Sequence, residues 1–193
     1  KNNFSHPSLS YDVFGLNFTN PVGLAAGFDK NSEVPNNIIN LGFGFSEVGT
    51  VTPLPQSGNS KPRVFRLKNE DAIINRLGFN NEGFKVVKER LFKRENNIIG
   101  VNIGANKNSK DFINDYLTGI KFFSSSASYL TINISSPNTP GLRDLEAIDN
   151  FSLLLDKIDQ LKKNSSEINL PILIKISPDI NHDDLEILCE KVL

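Results

Sequence analysis

Five short runs rich in aliphatic and β-branched residues recur along the chain, and each is followed by a stretch with apolar residues at helical spacing. No other feature constrains the fold as much. The runs cover residues 22–26, 43–51, 98–103, 129–134 and 172–176, and they read as strands. Between and after them, residues 32–40, 80–94, 109–123 and 150–163, and a stretch from Asp183 onward, read as helices. Their expected apolar stripes are Phe84, Val86, Val87 and Leu91, then Phe112, Ile113, Tyr116, Leu117 and Ile120, then Phe151, Leu154, Leu155, Ile158 and Leu161. Regular strand–helix alternation means right-handed βαβ units on a parallel sheet. Two hairpins stand outside this rhythm. One is formed by residues 11–14 and 16–18 around Gly15. The other, 64–67 with 72–74, lies in a proline-punctuated insertion at 52–77. Residues 1–10 are polar and read as a loose lead.

A (β/α)8 TIM barrel needs eight such units in about 250 residues. The 193 residues here supply five. An open doubly wound sheet and the first part of a barrel both satisfy the pattern. The polar residues favour the barrel. Gly100 and Asn102 alternate with Ile99, Val101 and Ile103; Asn133 alternates with Leu130, Ile132 and Ile134; Lys175 alternates with Ile172, Ile174 and Ile176. In each strand the aliphatic face would meet the helices, and a polar residue near the carboxyl end would face inward, where barrel enzymes build their sites. A dinucleotide fold would want G-x-G-x-x-G after its first strand, and Gly23 to Gly27 does not supply it. The whole chain, 1–193, reads as one partial barrel domain.

Composition removes several function classes. The formal net charge of −1 leaves no electrostatic footprint for nucleic acid. The single cysteine, Cys189, excludes an internal disulfide and fits a reducing compartment; within a helical stretch it reads as a buried structural thiol. His6 and His182 lie far apart, so no metal site is expected. No apolar run reaches the length of a membrane span and no signal-peptide pattern opens the chain. A start at Lys1 and an end at Leu193, inside a helical stretch, read as cut ends.

The richest chemistry follows the fourth strand. Ser135-Ser136-Pro137-Asn138-Thr139-Pro140-Gly141 is a polar loop stiffened by two prolines. As a plain βα turn it needs no further role. As a rim loop it would hold hydroxyls and amides in fixed positions around a small polar molecule. Lys30 closes Ala25-Ala26-Gly27-Phe28-Asp29-Lys30, where small residues let a flat ligand approach the backbone; the plainer reading puts Lys30 in water. Asn75 to Asn81 offers glycine punctuation and three amides, with Asn80 the ordinary candidate for a helix N-cap. Thr50 ends the second strand. The set has amides, lysines and hydroxyls but no histidine and no obvious carboxylate pair. It suits a flat, anionic, multiply hydrogen-bonded ligand better than hydrolysis.

Five segments in order, N-P-V-G-L-A-A-G-F-D-K-N (20–31), E-V-G-T-V-T-P-L-P-Q (47–56), N-R-L-G-F-N-N (75–81), V-N-I-G-A-N-K (101–107) and N-I-S-S-P-N-T-P-G-L-R (133–143), strongly resemble the class 2 dihydroorotate dehydrogenases. The resemblance runs from about His6 to the last residue. It implies an FMN-containing (β/α)8 barrel that oxidises dihydroorotate to orotate in pyrimidine biosynthesis and passes electrons to a membrane quinone. Ser136 falls at the family's catalytic base, a serine in class 2 and a cysteine in class 1, with Thr139 a candidate for the proton relay. Ala26, Gly27, Phe28, Asp29, Lys30, Thr50, Asn102, Asn133 and Lys175 resemble the FMN-binding positions. Lys30, Asn75, Arg76, Leu77, Gly78, Phe79, Asn133 and Asn138 resemble the orotate-binding ones. The family's N-terminal membrane-docking segment and strands six to eight, with a further substrate asparagine and the flavin phosphate site, have no counterpart here. The resemblance therefore implies a fragment with an open barrel edge, inactive alone. Its complete form would lie peripherally on the inner membrane, cytoplasmic side in a bacterium, or on the mitochondrial inner membrane in a eukaryote. Two alternatives stay open. One is another flavin barrel, either the pyrimidine-reducing domain of dihydropyrimidine dehydrogenase or a class 1 enzyme using fumarate or a nicotinamide cofactor. The other is a half-barrel with a degenerate, non-enzymatic site.

Overall fold

The computed structural model describes residues 6–92 and 96–192. Half of the expected loose lead, the last two residues of the helix expected over 80–94, and Leu193 lie outside them. The first elements are the hairpin β1 (Tyr11–Val13) and β2 (Leu16–Phe18), then β3 (Gly23–Leu24), α1 (Pro35–Ile39) and β4 (Phe45–Val51). The insertion supplies β5 (Val64–Leu67) and β6 (Ala72–Asn75), an antiparallel pair. After it come α2 (Gly83–Leu91), β7 (Ile99–Ile103), α3 (Phe112–Phe123), β8 (Tyr129–Asn133), α4 (Ile148–Lys163), β9 (Ile172–Lys175) and α5 (His182–Val192).

The five main strands form one parallel sheet in the order β3-β4-β7-β8-β9. Neighbours in the sheet follow chain order without a reversal. A doubly wound sheet would reverse its order at a switch point. Sequential winding is the barrel solution, so the chain is an α/β fold carrying the first five units of a (β/α)8 TIM barrel.

Burial follows the alternation. Ile99, Val101, Ile103, Leu130 and Ile132 are fully buried and pack in one cluster with Phe84, Val87, Tyr116, Ile120, Phe123, Phe151, Leu154 and Ile158 from α2, α3 and α4. Gly119 lets α3 close on β7: a Cβ there would sit 2.7 Å from Ile103 Cγ2 and 2.9 Å from Phe84 Cζ. Asn102, Thr131 and Asn133 are also buried, on the opposite face, where they bond to one another or to β4. Burial on both faces is the condition of a barrel strand.

Several boundaries differ from expectation, each for a local reason. The first strand is two residues long because the chain turns away at Ala25 to Gly27, where φ of Gly27 is 114°. The helix expected from Ser32 starts at Pro35: Ser32 is left-handed, φ 56°, and the Asp29 carboxylate accepts from the Glu33 and Val34 N–H groups at 2.7 and 2.9 Å. The next helix starts at Gly83, so Asn80 is not its cap; the adjacent Asn81 accepts from Gly83 N instead, at 2.8 Å. A short 3-10 turn, Leu142–Glu146, precedes α4 and was not expected. Cys189 is exposed, not buried; Leu188 is the residue α5 buries.

Candidate active site

The carboxyl ends of the main strands open onto a cavity of about 370 Å³. Four segments bring residues to it: the loop after β3 (Ala25, Ala26, Gly27, Lys30), the strand β4 (Glu47, Thr50), the end of the hairpin insertion (Asn75, Leu77, Gly78, Phe79), and the loop after β8 (Ser135, Ser136, Pro137, Asn138). Asn102, Asn133, Lys175, Arg143 and Pro178 complete the wall. The size is ordinary for a small-molecule site, and the mixed polar and apolar lining fits one as well.

A bulge aims Thr50. Gly49 pairs with Asn102 and Val51 with Ile103, so Thr50 is the extra residue in β4. Its hydroxyl donates to Asn102 Oδ1 at 2.6 Å. Asn133 Nδ2 donates to Thr50 Oγ1 at 3.1 Å and to Asn102 Oδ1 at 3.2 Å. The backbone at Asn133 is held from behind by α3, where the buried Tyr116 hydroxyl donates to Asn133 O at 2.7 Å. Burial and the nearby Asp115 carboxylate push the Tyr116 phenol well above its usual range, so it stays a donor.

The loop after β8 is fixed at both ends. Lys175 Nζ donates to Ser135 Oγ at 2.8 Å, and that hydroxyl donates to Asn133 Oδ1, also at 2.8 Å. Arg143 Nε donates to Ser135 O at 3.0 Å while its Nη1 pairs with Asp179 at 2.9 Å. Ser136 is half-buried at the cavity wall, and its Oγ accepts from Asn138 N at 3.3 Å. Thr139 is different: its hydroxyl is buried without a hydrogen-bond partner, and it does not line the cavity.

Among the residues lining the cavity, Lys30 carries an electrostatic mark. Burial, and then repulsion from Arg63, pull its ammonium below the usual lysine range. It forms none of the ion pairs found among the described residues. A half-buried cation without an anionic partner is a receptor for one.

The insertion acts as a wall. Asn59 Nδ2 donates to Arg76 O at 3.1 Å, Asn59 N donates to Leu77 O at 3.0 Å, and Gln56 Nε2 donates to Gly78 O at 3.0 Å. Asn81 clamps its end through Thr52 and Phe79.

The cavity thus gathers Ala26, Gly27, Lys30, Thr50, Asn75, Leu77, Gly78, Phe79, Asn102, Asn133, Ser136, Asn138 and Lys175. Besides Thr139, three residues singled out as FMN or orotate contacts do not line it. Phe28 is 70 % exposed, the Asp29 carboxylate is spent on α1, and the Arg76 guanidinium donates to Pro62 O. Conversely, the sequence reading passed over Glu47 and Arg143. Glu47 left a trace, being the one charged residue in an otherwise uncharged strand; Arg143 closes the segment quoted at 133–143 but was given no role there.

Known proteins resemble this chain along almost its whole length. The sequence profile of the dihydroorotate dehydrogenase family matches residues 8–192. Curated proteins named dihydroorotate dehydrogenase (quinone) from Bartonella tribocorum and Agrobacterium fabrum are each 53 % identical, over 188 and 191 residues, 95 % and 97 % of this chain. They cover 52 % and 53 % of those proteins, so the chain spans about half the length of these relatives. Crystal structures of DHODH from Eimeria tenella, one in complex with ferulenol and one ligand-free, superpose with TM-scores of 0.90 and 0.91 at 38 % identity. Each covers all of this chain, which matches 58 % and 60 % of theirs. A profile spanning nearly every residue, with close relatives along the same length, leaves one assignment: the chain belongs to the dihydroorotate dehydrogenase family.

Proposed function

We propose that the protein carrying this chain oxidises (S)-dihydroorotate to orotate, with FMN as the hydride acceptor and a membrane quinone as the final electron acceptor, in pyrimidine (UMP) biosynthesis. The observation that carries this reading is the meeting of Ser136, Lys30, Asn133, Asn138 and the Asn75 segment at one cavity, with the Ser136 hydroxyl in its wall accepting from Asn138 N. Overall, dihydroorotate and quinone give orotate and quinol: one hydride and one proton leave the substrate, and the quinone takes two electrons and two protons.

The residues present fit FMN. Ala25, Ala26 and Gly27 form a wall of small residues, and a Cβ on Gly27 would meet nothing within 4 Å, leaving room for a flat ring. Lys30, Thr50, Asn102, Asn133 and Lys175 supply the donors and acceptors that would hold it. The chemistry FMN supplies when bound is acceptance of the hydride from C6 of dihydroorotate and delivery of the electrons to quinone.

The chain's own residues do the rest. Ser136 takes the proton from C5. A serine hydroxyl is a weak base, so its value lies in position. Pro137 stiffens the backbone after it, and Asn138 N–H donates to its oxygen and steadies charge there. General-base placement of this kind contributes about 10²–10⁴-fold in rate. Lys30 pairs with the substrate carboxylate. Asn75 and Asn138 match the ring's amide groups, since each offers both a donor and an acceptor, with Asn133 beside them in the wall. Association with the membrane and access for quinone belong to this proposal too; among the described residues no helix is long and apolar enough to cross a membrane.

The test uses the complete reading frame. The purified protein should show a flavin band that dihydroorotate bleaches without oxygen, and that quinone, but not fumarate, restores. A flavin band untouched by dihydroorotate would refute the substrate, and a folded protein without flavin would refute the reaction.

A further inference from the structure

Glu47 has no role in the mechanism above, yet its carboxylate sits in the cavity wall. It is the one acidic side chain among the lining residues, which include the cations Lys30, Lys175 and Arg143. It forms none of the ion pairs found among the described residues. Neutral donors from the neighbouring strands hold it instead: Asn102 Nδ2 at 2.7 Å on Oε1 and Thr131 Oγ1 at 2.8 Å on Oε2. Its charge is also one cause, after burial, of the raised Tyr129 phenol. An ion without a counterion, held by neutral dipoles in a partly buried site, keeps its field rather than cancelling it. The bonded chain also shows where that field points. Glu47 fixes Asn102, whose Oδ1 meets Thr50 and Asn133, the residues placed above against the flavin.

Resting on the proposed flavin site, we infer that Glu47 is a redox-positioning residue: its fixed negative charge lowers the flavin reduction potential, and so favours release of electrons to quinone against their capture from dihydroorotate. The lysines and Arg143 favour the arriving hydride, with its two electrons and one proton. Glu47 offsets them. Without it the reduced flavin would be too comfortable, and the second half of the cycle would slow.

The test is Glu47→Gln in the complete holoenzyme. Glutamine keeps the size and an acceptor for Asn102 but drops the charge. Three readouts follow: the flavin midpoint potential, the extent of flavin reduction by dihydroorotate, and the rate of reoxidation by quinone. The expected result is a rise in potential equal to about tenfold in the reduction equilibrium, which is ~30 mV for a two-electron couple. Reduction by dihydroorotate becomes more complete, while reoxidation slows. A purely structural role would weaken both half-reactions together, and an unchanged or lowered potential overturns the inference. If Glu47→Gln does not fold, Thr131→Val decides. It removes one neutral donor and leaves the charge less shielded, so the potential should fall, and an unchanged or raised value overturns the inference. The wild-type arm separates the two ideas. Failure of dihydroorotate to bleach the wild-type flavin refutes the proposed function, whereas normal bleaching with no potential change in the variants refutes the role of Glu47 alone.

Discussion

Lys30→Met removes a cation that the fold has made uncomfortable, and two opposite effects should follow. Burial and repulsion from Arg63 disfavour the Lys30 ammonium in the empty site. Its folded-state pKa therefore lies below 10.5, the unfolded chain holds more protons between the two values, and stability rises with pH across that window. Methionine carries no charge and fills similar space, so Lys30→Met should be more stable than wild type at neutral pH and should lose that slope. Ligand binding should move the other way. A carboxylate on Lys30 makes a charge-assisted hydrogen bond worth about 1.5–3 kcal/mol, so orotate should bind the variant roughly 10–150-fold more weakly. The bound anion also restores the ammonium. Wild-type affinity should then fall by up to about tenfold per pH unit above the free-site pKa, and the variant should be flat there. Orotate titrations of the holoenzyme across alkaline pH, with urea unfolding of the flavin-free, ligand-free protein, measure both effects. Orotate affinity within about threefold of wild type, or a loss of stability at neutral pH, would refute the reasoning.

Three further outcomes are expected. Ser136→Ala should retain flavin but slow its reduction by dihydroorotate about 10²–10⁴-fold in anaerobic stopped flow; a wild-type rate would remove Ser136 from the chemistry. Gly119→Ala gains about 1 kcal/mol of helix propensity but forces a methyl against Ile103 and Phe84, both buried and unable to swing aside. Overpacking of about 1–3 kcal/mol should win, lowering Tm by a few degrees in a thermal melt (~2–4 °C per kcal/mol). Asp111→Ala removes the side chain that accepts from Asn114 N at the start of α3, and urea unfolding should show a loss of about 1 kcal/mol.

Most of the sheet was legible because its signals are local. A strand such as Tyr129 to Asn133 declares itself by alternation, and Phe151, Leu154 and Ile158 declare a helix face. Parallel order and inward polar residues then follow from geometry. The boundaries were harder. Ser32 and Asn80 both look like helix starts, yet Asp29 and Asn81 do the work, because a cap is chosen by where the chain arrives in space. The site divided in the same way. Lys30, Ser136 and Asn133 stand in or beside motif loops and could be named in advance. Glu47 and Arg143 matter through partners at Thr131, Asn102 and Asp179, far away in sequence, so their positions emerge only when the strands are laid side by side. Cys189 misled because a helical stripe does not reveal which of its positions will be covered.

The Asp29 carboxylate has a practical consequence. It sits next to Lys30 in sequence, yet both of its oxygens are engaged by the amides of Glu33 and Val34. Those two amides lie outside the cavity lining. Their hydrogen-exchange rates therefore form a built-in gauge of the Gly27–Lys30 loop: any ligand that orders the loop should slow both, and any that loosens it should free both, without a label or substitution inside the site.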